Sequence, residues 1–166
     1  VALTEFVEPR IRFRFTGEAL AGTVYGMVTA MAVIAALAEA DANIFYIAAA
    51  AISTSLALAL TFVYSHWLAG SYADKGHGGS REAWTFELPT LIGPIFLALV
   101  MAITRLSGAS VVVAAESTMW VGTAALFVLG FRIAQHGGRS RKQAFAFGLL
   151  DSAIGASLVL AKVLIH

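Results

Sequence analysis

The stretch "ALAGTVYGMVTAMAVIAAL" (19–37) runs for nineteen residues without a charge. That length and apolarity suit a helix crossing the hydrocarbon core of a bilayer, which needs about 20 mostly apolar residues. One such run could be the buried helix of a water-soluble protein. Residues 43–65 repeat it, again with no charged side chain, and further apolar runs follow. The chain is 59% hydrophobic and 13% charged, with a mean hydropathy of +0.82. Soluble domains carry about 25% charged residues, and a chain of 166 residues has too little interior to hide this much apolar side chain from water. Lipid is the solvent that fits.

Working outward, the pattern predicts five spans, at about 18–38, 43–68, 84–105, 110–132 and 143–164. Asp41 and Asn43 close a short turn after the first. "AGSYADKGHGGSR" (69–81) breaks the second from the third by glycine and polarity, "LSGAS" (106–110) separates the third from the fourth, and "HGGRSRK" (136–142) makes the last break. Ser110 is placed to cap the fourth helix. The expected fold is therefore all-α, a polytopic transmembrane bundle forming one domain over 1–166. With Glu5, Glu8 and Arg10 ahead of any hydrophobic run, the first segment is expected to act as both targeting device and permanent span.

Charge then sets direction. Nine of the eleven basic residues (Arg10, Arg12, Arg14, Lys75, Arg81, Arg132, Arg139, Arg141 and Lys142) fall on one side of a five-span arrangement. Only Arg105 and Lys162 fall on the other. The excess of Lys and Arg in cytoplasmic segments puts the N-terminus in the cytoplasm and the C-terminus outside, in a multi-pass protein of the cell membrane. The basic ends have this topological explanation, so nucleic acid is not an expected partner. "IRFRF" (11–15) reads either as an interfacial segment meeting anionic lipid or as a basic tail.

The junctions "GHGGSREAWTFELP" (76–89) and "QHGGRSRKQAFAFG" (135–148) resemble one another. They suggest two parallel hairpin repeats, 43–105 and 110–164, though Gly-Gly before a basic cluster is also a common way of turning between two spans. Within the spans, Asp151 and Glu116 are carboxylates at depth, where an unpaired charge costs about 3 kcal/mol or more. The two are expected to approach each other and share a proton or a monovalent cation. Glu87 beside Pro89 and Pro94, His66 at the inner end of the second span, and Tyr25 extend this expected path. The alternative is that the carboxylates only hydrogen-bond helices together.

Gly22 and Gly26 share a face of the first span, and Gly148, Ser152 and Ala156 recur at four-residue spacing in the fifth, as close helix packing requires. Ser53, Thr54, Ser55 and Thr61 either line a polar seam or bond to their own preceding carbonyls. Trp67 and Trp84 suit the interfaces, whereas Trp120 is expected to be packed. There is no cysteine and no paired-histidine motif, so no cofactor is expected, and a metal is left open.

"GTVYGMVTAMAVIAAL" (22–37) and "FVYSHWLAGSYA" (62–73) resemble an uncharacterised family of small polytopic membrane proteins from high-GC Gram-positive bacteria. The resemblance implies a source and no role. Two function classes follow from the residues. The first is a small channel or cation/proton-coupled transporter, assembled as a homo-oligomer and using the intramembrane carboxylates. The second is a non-catalytic scaffold or accessory subunit of a larger membrane complex, its polar residues serving helix packing. An enzyme is the least supported class, because no nucleophile and base stand at a suitable spacing. The orientation has a direct check, since the chain has no cysteine of its own. A membrane-impermeant maleimide should label Ser107→Cys from outside intact cells and Gly138→Cys only after lysis; labelling of both from one side would reverse or break the five-span order.

Overall fold

The computed structural model describes residues 17–38, 42–72 and 88–165, and it consists of helices. They are α1 (Gly17–Ala38), α2 (Ile44–Tyr72), a short 3-10 turn (Leu88–Leu91) leading into α3 (Ile92–Leu106), α4 (Val111–His136) and α5 (Arg141–Ile165). Five of these segments are long and apolar enough to cross a membrane: Leu20–Ala38, Ile44–Ser65, Leu88–Leu106, Val111–His136 and Arg141–Leu164. The chain is a multi-pass, all-α membrane protein. Arg10, Arg12, Arg14, Lys75, Arg81, Trp84 and Glu87 lie outside the described residues.

The turns follow local rules. Asn43 Oδ1 accepts the Phe45 N–H at 2.9 Å and starts α2. At the end of α4, Gly138 takes φ 73°. The Arg139 N–H then bonds back to Ala134 O and the Gly138 N–H to Gln135 O, the paired closure that a left-handed glycine allows. Two residues on, Ser140 and Gln143 cap each other's backbone N–H groups, at 3.2 and 3.4 Å. The α3–α4 turn shares two of these features: Gly108 takes φ 93°, and Ser110 Oγ accepts from Val113 N–H at 3.3 Å. "SGAS" (107–110) and "GGRS" (137–140) thus have a left-handed glycine and a serine cap in common, while the bond to the carbonyl five residues back is made only in the second. The signal is a glycine followed two positions later by a capping serine.

The bundle is built around α1, which touches all four other helices. Met27, Ala30, Met31, Ile34 and Ala38 of α1 form the centre of the buried cluster. Ile47 and Ala51 of α2, Leu97 and Met101 of α3, and Ala114, Ala115, Met119 and Leu126 of α4 close around them. α5 adds only partly buried residues, Leu158 and Val159, and it packs mainly along α4.

Lipid tails are as apolar as leucine, so association in a membrane rests on close fit rather than on escape from water. The closest fit lies between α1 and the turn before α3. Pro94 has no N–H, which leaves the Thr90 carbonyl without its i+4 donor. That carbonyl rests on Gly26, where any Cβ would overlap it. Gly93 reciprocates: a Cβ there would meet Met27 N at 2.8 Å and Thr23 O at 2.9 Å. Thr23 Oγ1 donates to Pro89 O at 3.1 Å. Pro89 and Pro94, noted in the sequence beside Glu87, have definite places in this contact. They sit buried in the 3-10 turn and the first turn of α3, and the Thr90 carbonyl that Pro94 leaves without a helical donor lies against Gly26 of α1.

Gly26→Ala should therefore destabilise the bundle by roughly 1–3 kcal/mol. Gly137→Ala, with an ordinary φ of −76° and no neighbour closer than 3.5 Å, should change stability by less than about 0.5 kcal/mol. Denaturant titration in detergent micelles measures both, and equal effects would remove the α1 contact as the source of stability.

Candidate functional site

Asp151 lies ten residues into α5, and its carboxylate is seated over Gly130 of α4, where an added Cβ would overlap it. Glu116 lies one turn into α4 from the other end, exposed, and its Oε1 is 3.9 Å from Lys162 Nζ. Gly130 and Glu116 are fourteen residues apart on the same helix, about 21 Å at 1.5 Å per residue. Asp151 and Glu116 therefore cannot share a proton or an ion. Among the described residues no group of three or more His, Asp or Glu side chains could hold a metal.

The expectation of a channel or cation/proton-coupled transporter using intramembrane carboxylates is thus overturned. The physical reason is geometric: α4 and α5 run antiparallel, so one carboxylate near the middle of α5 and one near the start of α4 are carried apart. Of the remaining path residues, Glu87 and the side chain of His66 fall outside the described residues. Tyr25 is 44% exposed and meets Phe62 of α2 edge-on, with ring centroids 5.7 Å apart; among the described residues no carboxylate partners it.

The hydroxyls along the spans form no seam either. Ser53 bonds to Ala50 O, Ser55 to Ala51 O, Thr61 to Ala57 O, Thr118 to Ala114 O and Thr123 to Met119 O, all between 2.7 and 3.2 Å. A hydroxyl that returns to its own helix is satisfied in lipid and leaves no donor for a path. Of these, Ser55, Thr118 and Thr123 are buried within the bundle, while Ser53 and Thr61 are exposed.

The packing positions fare differently. Gly26 is buried at the α1 contact, and Gly148 is buried against the Phe127 carbonyl, 2.8 Å from where its Cβ would stand. Gly22, Ser152 and Ala156 are half-buried. Four glycines that carry equally close contacts stood out less in the sequence: Gly93 on α1, Gly122 on Met31 and Leu97, Gly130 under Asp151, and Gly155 on Thr123 and Leu126. Their signal was single glycines in otherwise bulky spans, which is weak because each partner lies on another helix. Trp120, expected to be packed, is 60% exposed.

Two features of the surface carry more than the carboxylates do. On α2 a row at four-residue spacing, Ile47, Ala51, Ser55, Ala59 and Val63, is buried. Two positions along, on the opposite side, Ala49, Ser53, Ala57, Thr61 and Ser65 form a second row that is exposed throughout. At the far end of the α4–α5 hairpin, Lys162 and Glu116 border a groove of about 340 Å³ with Met119, Trp120, Val159 and Val163.

No described residue donates a hydrogen bond to Asp151. Asp151→Asn should accordingly leave stability within about 0.5 kcal/mol of the parent chain in a micelle denaturation series. A loss above about 1 kcal/mol would mean that the charge itself holds the hairpin.

Comparison with known proteins adds no assignment: no protein-family model, no curated protein and no solved structure matches this chain, and the resemblance of 22–37 and 62–73 to a bacterial membrane family gains no support from them.

Proposed function

We propose that the chain is a non-catalytic membrane scaffold or accessory subunit, which joins a larger membrane complex by packing α2 against a transmembrane helix of another chain. The observation that carries this reading is the exposed row Ala49, Ser53, Ala57, Thr61 and Ser65. A helix face that meets only lipid gains nothing from small side chains, because leucine fills lipid equally well. Small residues four apart allow a second helix backbone to come close enough for dispersion and weak Cα–H contacts to hold the pair.

The row is built like the one on the opposite face of α2, which does pack inside the bundle. Hydroxyls in both rows are turned back onto their own helix: Ser55 in the buried row, Ser53, Thr61 and Ser65 in the exposed row. A partner helix would meet smooth, satisfied surface. Leu56 and Leu60, 41% and 46% exposed, flank the row and would fill the sides of the contact.

Replacing Ser53 and Ala57 together by leucine tests the proposal. In membranes solubilised with a mild detergent, the double variant should run as a smaller particle than the parent chain on native gels, with at least tenfold weaker association, or about 1.4 kcal/mol. Its stability as a separate bundle should be unchanged. If the parent chain is itself a lone monomer in its native membrane, or if the double variant keeps the full-size particle, the proposal fails.

A further inference from the structure

The end of the bundle that holds the α3–α4 turn carries two basic residues, and they are used differently. Arg105 Nη1 donates to Ala109 O at 2.9 Å and closes its own turn. Lys162, in the last turn of α5, faces the Glu116 carboxylate as a loose ion pair. Its side chain is 11% exposed, its Nζ is shut off from solvent, and that Nζ makes no hydrogen bond. The nearest carboxylate oxygen, on Glu116, is 3.9 Å away, beyond hydrogen-bond length. An ammonium has three donors and is rarely left with none of them met.

What surrounds Lys162 names the missing acceptor. The groove it borders is walled by Met119, Trp120, Val159 and Val163, so it is apolar except at its mouth. Met119 and Val159 lie deeper along their helices than Glu116 and Lys162, so the polar pair stands at the membrane-surface end and the apolar walls run inward. That is the layout of a phospholipid, with its phosphate at the surface and an acyl chain below. Glu116, 56% exposed beside the ammonium, selects among headgroups. It repels a headgroup of net negative charge and accepts hydrogen bonds from a primary ammonium.

We infer that the α4–α5 groove binds one ethanolamine-type zwitterionic phospholipid, its phosphate on Lys162, its ammonium on Glu116 and an acyl chain along Met119, Trp120 and Val159. The charge-assisted bonds would satisfy the Lys162 ammonium and the Glu116 carboxylate together. The site is separate from the α2 row, and it stands whether or not that row binds a partner.

Trp120 makes the groove observable, because Trp67→Phe and Trp84→Phe leave it as the sole tryptophan of the three. This double variant would be reconstituted in phosphatidylcholine vesicles with graded amounts of bromine-labelled phosphatidylcholine, phosphatidylethanolamine or phosphatidylglycerol. Bromine quenches indole fluorescence on contact. The labelled ethanolamine lipid should quench Trp120 at roughly tenfold lower mole fraction than the labelled choline lipid, the worth of one charge-assisted bond. Lys162→Met should abolish the preference, while Lys162→Arg, which keeps the charge, should retain most of it. Glu116→Gln should shift the preference toward phosphatidylglycerol. Equal quenching by the three lipids, or a preference that survives Lys162→Met, would overturn the inference.

Discussion

A helix in lipid gains little by touching another helix unless the two backbones come close, and this bundle rests on one such approach. The Thr90 carbonyl has lost its helical donor to Pro94 and lies on Gly26; Gly93 returns the contact against Met27 and Thr23. Proline and glycine act here as a pair, one freeing an acceptor and the other making room for it. Because α1 is held this way along its first half, its second half is free to present Met31, Ile34 and Ala38 to α2, α3 and α4 at once. A single helix touching four others is economical for a chain this short. It also means that the outermost helices, α2 and α5, each keep most of their surface for something else.

The same constraint explains why polar residues inside the spans do not add up to a path. A hydroxyl in hydrocarbon must find an acceptor, and the carbonyl three or four residues back is always within reach. Ser55, Thr118 and Thr123 take that option while fully or nearly buried. Carboxylates cannot do the same, because the helix interior offers them no free donor. Asp151 is accommodated by space over Gly130 rather than by partners, and Glu116 sits where it is exposed beside Lys162. Each carboxylate has its own local solution, and the two solutions lie at different depths.

Much of the fold was legible because it depends on composition and on single-residue signals. The uncharged runs gave the spans, and Ser110 capped α4 as its position implied. Gly26 and Gly148 were recognisable as packing positions through their spacing with other small residues. The helix ends were less so: α4 continues to His136 and carries Arg132 with it, because a basic side chain can reach the surface from inside a helix. What the letters hid was pairing. Nothing local says that Gly130 will face Asp151, that Gly93 will face Met27, or that Pro89 will accept from Thr23 sixty-six residues away. The supposed meeting of Asp151 and Glu116 failed for the same reason. Depth along two antiparallel helices could be guessed from each sequence alone, but the register between them is set by glycines on both.

The two rows of α2 take the argument one step further. A four-residue repeat advances 400° per step, so each row winds slowly around the helix, and two rows offset by two residues stay on opposite faces. The inner row needs small residues at Ala51, Ser55 and Ala59 because α2 packs there, with those positions at 0–2% exposure. No such need exists for Ala49, Ser53 and Ala57 in an isolated bundle. Larger apolar side chains would cost nothing against lipid and would lengthen the hydrophobic contact. The partner helix proposed for α2 would give this outer face the neighbour that the bundle already gives the inner one. Lys162, on the far helix of the bundle, has Glu116 within ion-pair reach but no hydrogen bond, and the inferred headgroup would complete it. The two unmet surfaces differ in chemistry, one smooth and neutral, the other charged at its mouth, and that difference separates a protein partner from a lipid.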